Sequence, residues 1–233
     1  MSETGQNLKR EAAPVLVYFA VYLTYLFVRP ESEFLHWLTL VLLPFLAVYG
    51  LRRSWLPDAT FNATLHSIGF RRSVLKKGLI AALLLGVALN GLQLVISQRR
   101  DEIWEVLSSP AAFVTLPLIF LLLLLTAGFT EEVFFRGFLQ TRLTDLFGSN
   151  FWAIAVTSVL FSLYHVPYAY LNPNWPSHGD LSAAFVAAFT QAIPGGVILG
   201  TLYARSRYNL VAPILLHSLI NLLPAATMIT VRF

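Results

Sequence analysis

Two adjacent carboxylates, Glu131 and Glu132, follow twenty residues, 111 to 130, that carry no charge at all. An acidic side chain inside a membrane helix costs about 3 kcal/mol on insertion scales, so two together require partners or a chemical purpose. A helix ending at Thr130 would instead leave both acids at the interface, but Val133, Phe134, Phe135, Phe138 and Leu139 carry the apolar pattern past them. Arg136 lies four residues beyond Glu132, on the same helix face, and can form an ion pair with it. Glu131 is then about 100° round the helix and free to meet another element.

His165 closes the string Phe161, Ser162, Leu163, Tyr164, His165 in the next apolar segment. Folding the two segments into an antiparallel hairpin about Gly148 to Asn150 puts residues 131 and 165 each roughly 25 Å from the turn, hence at nearly the same depth. A lone membrane histidine is usually a structural hydrogen-bonder, but a carboxylate at matched depth favours a site. His217 and Asn221, at i and i+4 between Pro213 and Pro224, share one helix face. That pair could bind metal, donate to an oxyanion or stitch helices together, and stitching is the better account of the pair taken alone. With two acids, an arginine and a second histidine on neighbouring segments, a functional cavity explains more.

The chemistry these residue types support is amide hydrolysis. A carboxylate buried beside an imidazole can take the proton of an attacking water, and fixed N–H donors can stabilise charge on the carbonyl oxygen. Glu131, His165 and His217 are also just enough for a zinc site in which the metal polarises the water. The metal-free scheme is preferred, so no cofactor is expected.

The elements that must position these groups are apolar helices. Of 233 residues 57% are apolar and 12% charged, against roughly 25% charged in soluble domains. Seven apolar segments stand out, at 14–28, 35–51, 75–97, 112–138, 151–171, 182–204 and 210–230. Spans of about 20 residues cross a bilayer, so the fold class is all-α, a polytopic transmembrane bundle of about seven helices. The first segment lacks a small-residue cleavage site and reads as a retained helix. Between the second and third segments, Arg52 to Lys77 mixes basic residues with Trp55, Phe61, Leu65, Ile68 and Phe70, a pattern suited to the membrane surface. Gly195, Gly196 and Gly200 suggest close helix packing in the sixth segment, and Asn90 and Gln93 suggest hydrogen bonds between helices.

Lysines and arginines divide 12 to 4 between the two sides of this seven-span arrangement, or 11 to 4 without Arg136. That bias places the N-terminus in the cytoplasm and the C-terminus outside. Cysteine is absent, so disulfides and thiolate metal sites are excluded. The chain has no basic tract and little water-soluble sequence, which disfavours nucleic acid as a partner. A small-solute transporter is disfavoured because no paired hydropathy repeat is present.

Glu131 to Gly137 resembles the EExxxR motif of the CAAX prenyl protease and bacteriocin-processing family, in particular its type II CAAX prenyl endopeptidase-like members. Phe161 to His165 is similar to the FxxxH motif of that family, and His217 to Asn221 to its HxxxN motif; all three occur in the family's order and on separate helices. The resemblance covers roughly residues 110–225. It implies that Glu131 and His165 activate water, that His217 and Asn221 donate to the oxyanion, and that Glu132 and Arg136 support the site electrostatically. Two regions follow: 1–109, N-terminal transmembrane helices with a basic interfacial segment, and 110–233, the protease core.

The expected function is that of an intramembrane endopeptidase in a prokaryotic cell membrane, acting on a membrane-associated or lipid-modified peptide or protein within the lipid bilayer. The competing function is a non-enzymatic membrane protein of the same fold, such as a bacteriocin self-immunity factor or a scaffold.

Overall fold

The computed structural model describes residues 3–28, 33–56, 58–71, 76–173 and 175–230, with the side chains of residues 3–9, 33, 34 and 230 outside that description. All regular structure among these residues is helical. The elements are α1 (Glu3–Val28), α2 (Glu33–His36), a π-helical stretch (Trp37–Leu42), α3 (Leu43–Trp55), α4 (Phe61–Ser67), α5 (Lys76–Ile96), α6 (Arg100–Ser108) and α7 (Ala112–Leu125). They continue as α8 (Ala127–Glu132), a second π-helical stretch (Val133–Gln140), α9 (Thr141–Phe147), α10 (Asn150–Leu171), α11 (Leu181–Arg205) and α12 (Val211–Thr230).

Among the described residues six helical stretches are long and apolar enough to cross a membrane: Arg10–Val28, Lys76–Ile96, Ala112–Phe147, Asn150–Leu171, Leu181–Arg205 and Val211–Ile229. The remaining apolar segment of the sequence is helical from Glu33 to Trp55 but widens over Trp37–Leu42. Pro44 explains the widening. It lacks an N–H to donate and crowds the preceding turn, so Leu43 N–H reaches back five residues to Leu38 O and a π turn absorbs the misfit.

The fourth segment differs most from its expected bounds. Thr126, at φ −110° and ψ −111°, interrupts it, and the helix then runs past 138 to Phe147, where Gly148 closes it at φ 65° with its N–H on Thr144 O at 2.8 Å. The polar residues 136 to 142 stay helical and buried because each finds a partner inside the bundle.

One apolar core joins the N-terminal helices to the rest. Phe19, Tyr22, Leu26, Leu40 and Val48 pack with Phe134, Phe135, Phe138, Phe161 and Tyr164. Close approach of α11 to its neighbours depends on glycine: a Cβ on Gly196 would lie 3.0 Å from Ser158, and one on Gly200 would lie 2.8 Å from Gln140 Oε1. Asn90 Nδ2 donates to Leu219 O at 2.8 Å and Gln93 Nε2 to Ile220 O at 3.0 Å, tying α5 to α12.

The stretch Arg52 to Lys77 is only partly a surface element. Phe61 and Phe70 are exposed, whereas Ile68 is buried, packed where a Cβ on Gly137 would come 2.6 Å from its carbonyl oxygen. Arg52 is buried too and donates from Nε to Glu11 Oε1 at 2.6 Å. Arg142 donates from Nη2 to Glu11 Oε2 at 2.9 Å. With Arg136, paired to Glu132, three of the twelve cations assigned to the cytoplasmic side are therefore internal ion-pair partners rather than solvated charges. Arg29, Arg72 and Arg232, counted in the same comparison, lie outside the described residues.

Candidate active site

Glu131 and Glu132 end α8, just where the backbone widens into the π-helical stretch Val133–Gln140. Such widenings recur at functional sites because they re-aim side chains without ending the helix. Glu132 is fully buried, and its Oε1 lies 3.0 Å from Nη1 of Arg136, the i,i+4 pair read from the sequence. The guanidinium of Arg136 is also fully buried. It donates from Nη2 to Gly196 O at 3.4 Å and sits 4.7 Å above the centre of the Phe161 ring. A charged group in such a place needs several compensating contacts, and Arg136 has an anion, a carbonyl and an aromatic face.

His217, on α12, stands between the two acids. Its Nδ1 is 2.7 Å from Glu132 Oε1, in a buried hydrogen bond, and its Nε2 is 3.7 Å from Glu131 Oε2. Glu131 keeps slight exposure at 7%. Gly128, one turn before Glu132, lets α12 come this close: a Cβ there would lie 2.2 Å from Ser218 Oγ and 3.2 Å from Ile214 O.

His165, on α10, is half-buried. Its Nδ1–H donates to Phe161 O at 2.8 Å, one helical turn back, so the neutral ring keeps Nε2 as its basic nitrogen. The Phe161 ring meets the imidazole of His165 at 4.6 Å and that of His217 at 5.9 Å, edge-on in both cases. One aromatic side chain thus carries both histidines and the arginine. The ion-pair contact of Glu131 among the described residues is with His217. Asn221, one turn beyond His217, is half-buried, and its side chain has no hydrogen-bond partner among the described residues.

Five of the six residues singled out from the sequence are therefore joined by contacts through Phe161, Glu132 and His217, and Asn221 adjoins them one turn along α12. Glu131, His165 and His217 are not gathered as a zinc site: among the described residues no three His, Cys, Asp or Glu side chains form a group able to hold a metal ion.

Sequence reasoning missed three features around this cluster. Gln140 Nε2 donates to Gly200 O at 2.9 Å, repeating one turn later the contact of Arg136 with Gly196. The equal spacing of Arg136 to Gln140 and Gly196 to Gly200 was a signal for it. His36 Nε2 lies 2.7 Å from the Tyr168 hydroxyl, linking the N-terminal half to α10. A groove of about 450 Å³ lies between the first π stretch, α3 and α4, lined almost wholly by apolar side chains from Trp37 to Phe129. Phe129 is two residues from Glu131, so the groove reaches the helix that carries the acids.

Neither the curated proteins nor the solved structures compared with the chain gave a match. A family model did: residues 113–223 match Type II CAAX prenyl endopeptidase Rce1-like. The matched stretch holds Glu131, Glu132, Arg136, His165, His217 and Asn221. With its motif residues arranged about Phe161 and His217, the matched stretch 113–223 is similar to type II CAAX prenyl endopeptidase Rce1-like proteins.

Proposed function

We propose that the protein is an intramembrane endopeptidase that hydrolyses a peptide bond in a membrane-associated or lipid-modified peptide, using water activated by Glu131 and His165. The observation that carries this reading is the pair of buried carboxylates meeting imidazole in a bundle core, with Glu131 in ion-pair range of His217 and only slightly exposed. A purely structural ion pair would need Glu132 and Arg136 alone. Glu131 adds a second acid that such a pair does not require.

In this mechanism Glu131 takes a proton from water as the oxygen attacks the scissile carbonyl, and Nε2 of His165 accepts or returns a proton on the way to the leaving amine. His217 and Asn221 donate to the developing oxyanion; Asn221, with its carboxamide unengaged, is free to do so. Glu132 and Arg136 hold the charge balance beneath them. The apolar groove beside Phe129 gives an apolar part of the substrate a route to the site from the lipid. No metal takes part in this scheme.

Peptidomic comparison of membranes carrying the intact protein with membranes carrying Glu131→Ala tests the reading. A peptide released only by the intact protein supports it and identifies the substrate. Identical peptide sets at matched protein levels contradict it and favour a non-enzymatic role. Full activity after rigorous chelation supports water activation by the Glu and His pair, and zinc-dependent recovery opposes it.

A further inference from the structure

The contact between Glu132 and His217 has chemical content beyond charge balance, because it decides which nitrogen of His217 carries a proton. A carboxylate has no hydrogen to give. At 2.7 Å from Glu132 Oε1, Nδ1 of His217 must be the donor. The other nitrogen, Nε2, then points at Oε2 of Glu131 from 3.7 Å, too far for a direct hydrogen bond yet within ion-pair range. When neutral, a ring held this way offers a lone pair from Nε2. It becomes a donor on that side only with a second proton in place.

We propose that Glu132 is a positioning residue that fixes His217 in its Nδ1–H form and so reserves Nε2 for the reacting groups. The inference rests on the peptidase reading for its catalytic meaning, but the tautomer itself does not depend on it. A charge count supports the arrangement. With Glu131, Glu132 and Arg136 ionised, the buried cluster carries one excess negative charge, and a proton placed between Glu131 Oε2 and His217 Nε2 cancels it. A buried cluster favours neutrality, since an uncompensated charge there loses its hydration. To donate to an oxyanion from Nε2, His217 must take a second proton there, and Glu132, by engaging Nδ1–H, leaves that nitrogen free for it. This refines the oxyanion role implied by the motif, which names His217 but not the nitrogen that donates.

Arg136 completes the assembly. Its Nη1 lies 3.0 Å from Glu132 Oε1, the oxygen that accepts from Nδ1–H of His217 at 2.7 Å, so that one oxygen faces both groups. The guanidinium sets a positive charge against the oxygen that His217 uses as its acceptor. The groups facing the imidazole are then Glu131, Glu132 and Arg136 from the α8 side and His165 from α10, across the ring of Phe161.

Glu132→Gln tests the proposal because a carboxamide can either accept from Nδ1–H or donate to a bare Nδ1, leaving the tautomer open. The measurement is ¹⁵N NMR of histidine-labelled protein in detergent, with the His217 signals assigned by loss in His217→Ala. In the wild-type protein Nδ1 of His217 should read as a protonated nitrogen. In Glu132→Gln that signal should shift toward the bare-nitrogen position, and Glu132→Asp should restore part of it. On a cleaved substrate, Glu132→Gln should lower kcat by about 100-fold or more with little change in KM, as expected for a group acting in the transition state. A bare Nδ1 in the wild-type spectrum overturns the proposal even if the variant fails to fold, as does an unchanged tautomer in a folded Glu132→Gln protein. A tautomer shift in a protein that cleaves nothing would uphold the positioning role and sink the peptidase reading alone.

Discussion

Glu11, in α1, accepts hydrogen bonds from Arg142, 131 residues later, at 2.9 Å from Nη2 and 3.1 Å from Nε. The same carboxylate accepts from Arg52 at 2.6 Å. It clasps α1, α3 and α9 together just beyond the π-helical stretch that follows Glu131 and Glu132. Arg142 extends the clasp, donating to Gly137 O at 2.8 Å within that stretch.

Removing Glu11 leaves two guanidinium groups in a buried place without their anion. Breaking a buried ion pair from one side costs about 3–5 kcal/mol. Glu11→Ala should therefore lower the Tm of the detergent-solubilised protein clearly, and Glu11→Gln should lower it less because an acceptor remains. An unchanged Tm in Glu11→Ala would show that the two arginines find other partners.

Gly195 and Gly196 make a controlled pair. A Cβ on Gly196 would meet the Cα, Cβ and Oγ of Ser158 at 3.0 Å, while one on Gly195 would meet nothing within 4 Å. Gly196→Val should force α11 away from α10, costing about 1–3 kcal/mol in overpacking, and should loosen the carbonyl that Arg136 contacts. Gly195→Ala should leave stability and activity close to wild type. Thermal unfolding and cleavage measured side by side check both, and equal effects of the two substitutions would contradict this packing.

Much of the helical layout was legible from hydrophobic run length. Lys76–Ile96, Asn150–Leu171 and Leu181–Arg205 fall within a residue or so of the expected segments, because the length needed to cross a bilayer bounds each run from both ends. The break at Thr126 and the extension to Phe147 were not legible. Both depend on tertiary partners: Gly128 packed against Ser218, and Arg142 satisfied by Glu11. The pairing of Glu132 with Arg136 followed from i,i+4 spacing, whereas its contact with His217, 85 residues away, needed the fold. Sequence depth-matching directed Glu131 toward His165. The fold puts His217 into ion-pair range of it and gives His165 a neighbouring place across Phe161.

The basic-residue bias predicts a cytoplasmic N-terminus and, with Glu33–Trp55 counted as a seventh crossing, an external C-terminus. A reporter fused after Phe233 should then behave as external. Cytoplasmic activity there, with the N-terminus shown to be cytoplasmic, would mean an even number of crossings. Glu33–Trp55 would then lie within one leaflet or the interface.

His217→Ala and Asn221→Ala should each reduce turnover while leaving the protein folded. Loss of one oxyanion donor costs about 2.7–4 kcal/mol of transition-state stabilisation, on the order of 100- to 1,000-fold in kcat. Asn221→Ala should be the milder for stability, since its side chain has no hydrogen-bond partner among the described residues, whereas His217 is bonded to Glu132. Steady-state kinetics on the identified peptide separates kcat from KM, and an effect confined to KM would argue against the oxyanion role.

The central claim is that Glu131 activates the water that cleaves a peptide bond, and the most direct measurement is cleavage of the identified substrate by purified wild-type and Glu131→Gln protein, matched for membrane insertion and folding. The substitution keeps the side chain's shape and removes its basicity. Loss of cleavage in Glu131→Gln, with His165→Ala equally inactive and the double variant no worse, is the expected result, because groups that act as one unit are far from additive. A correctly inserted Glu131→Gln protein that cleaves at the wild-type rate would contradict the mechanism.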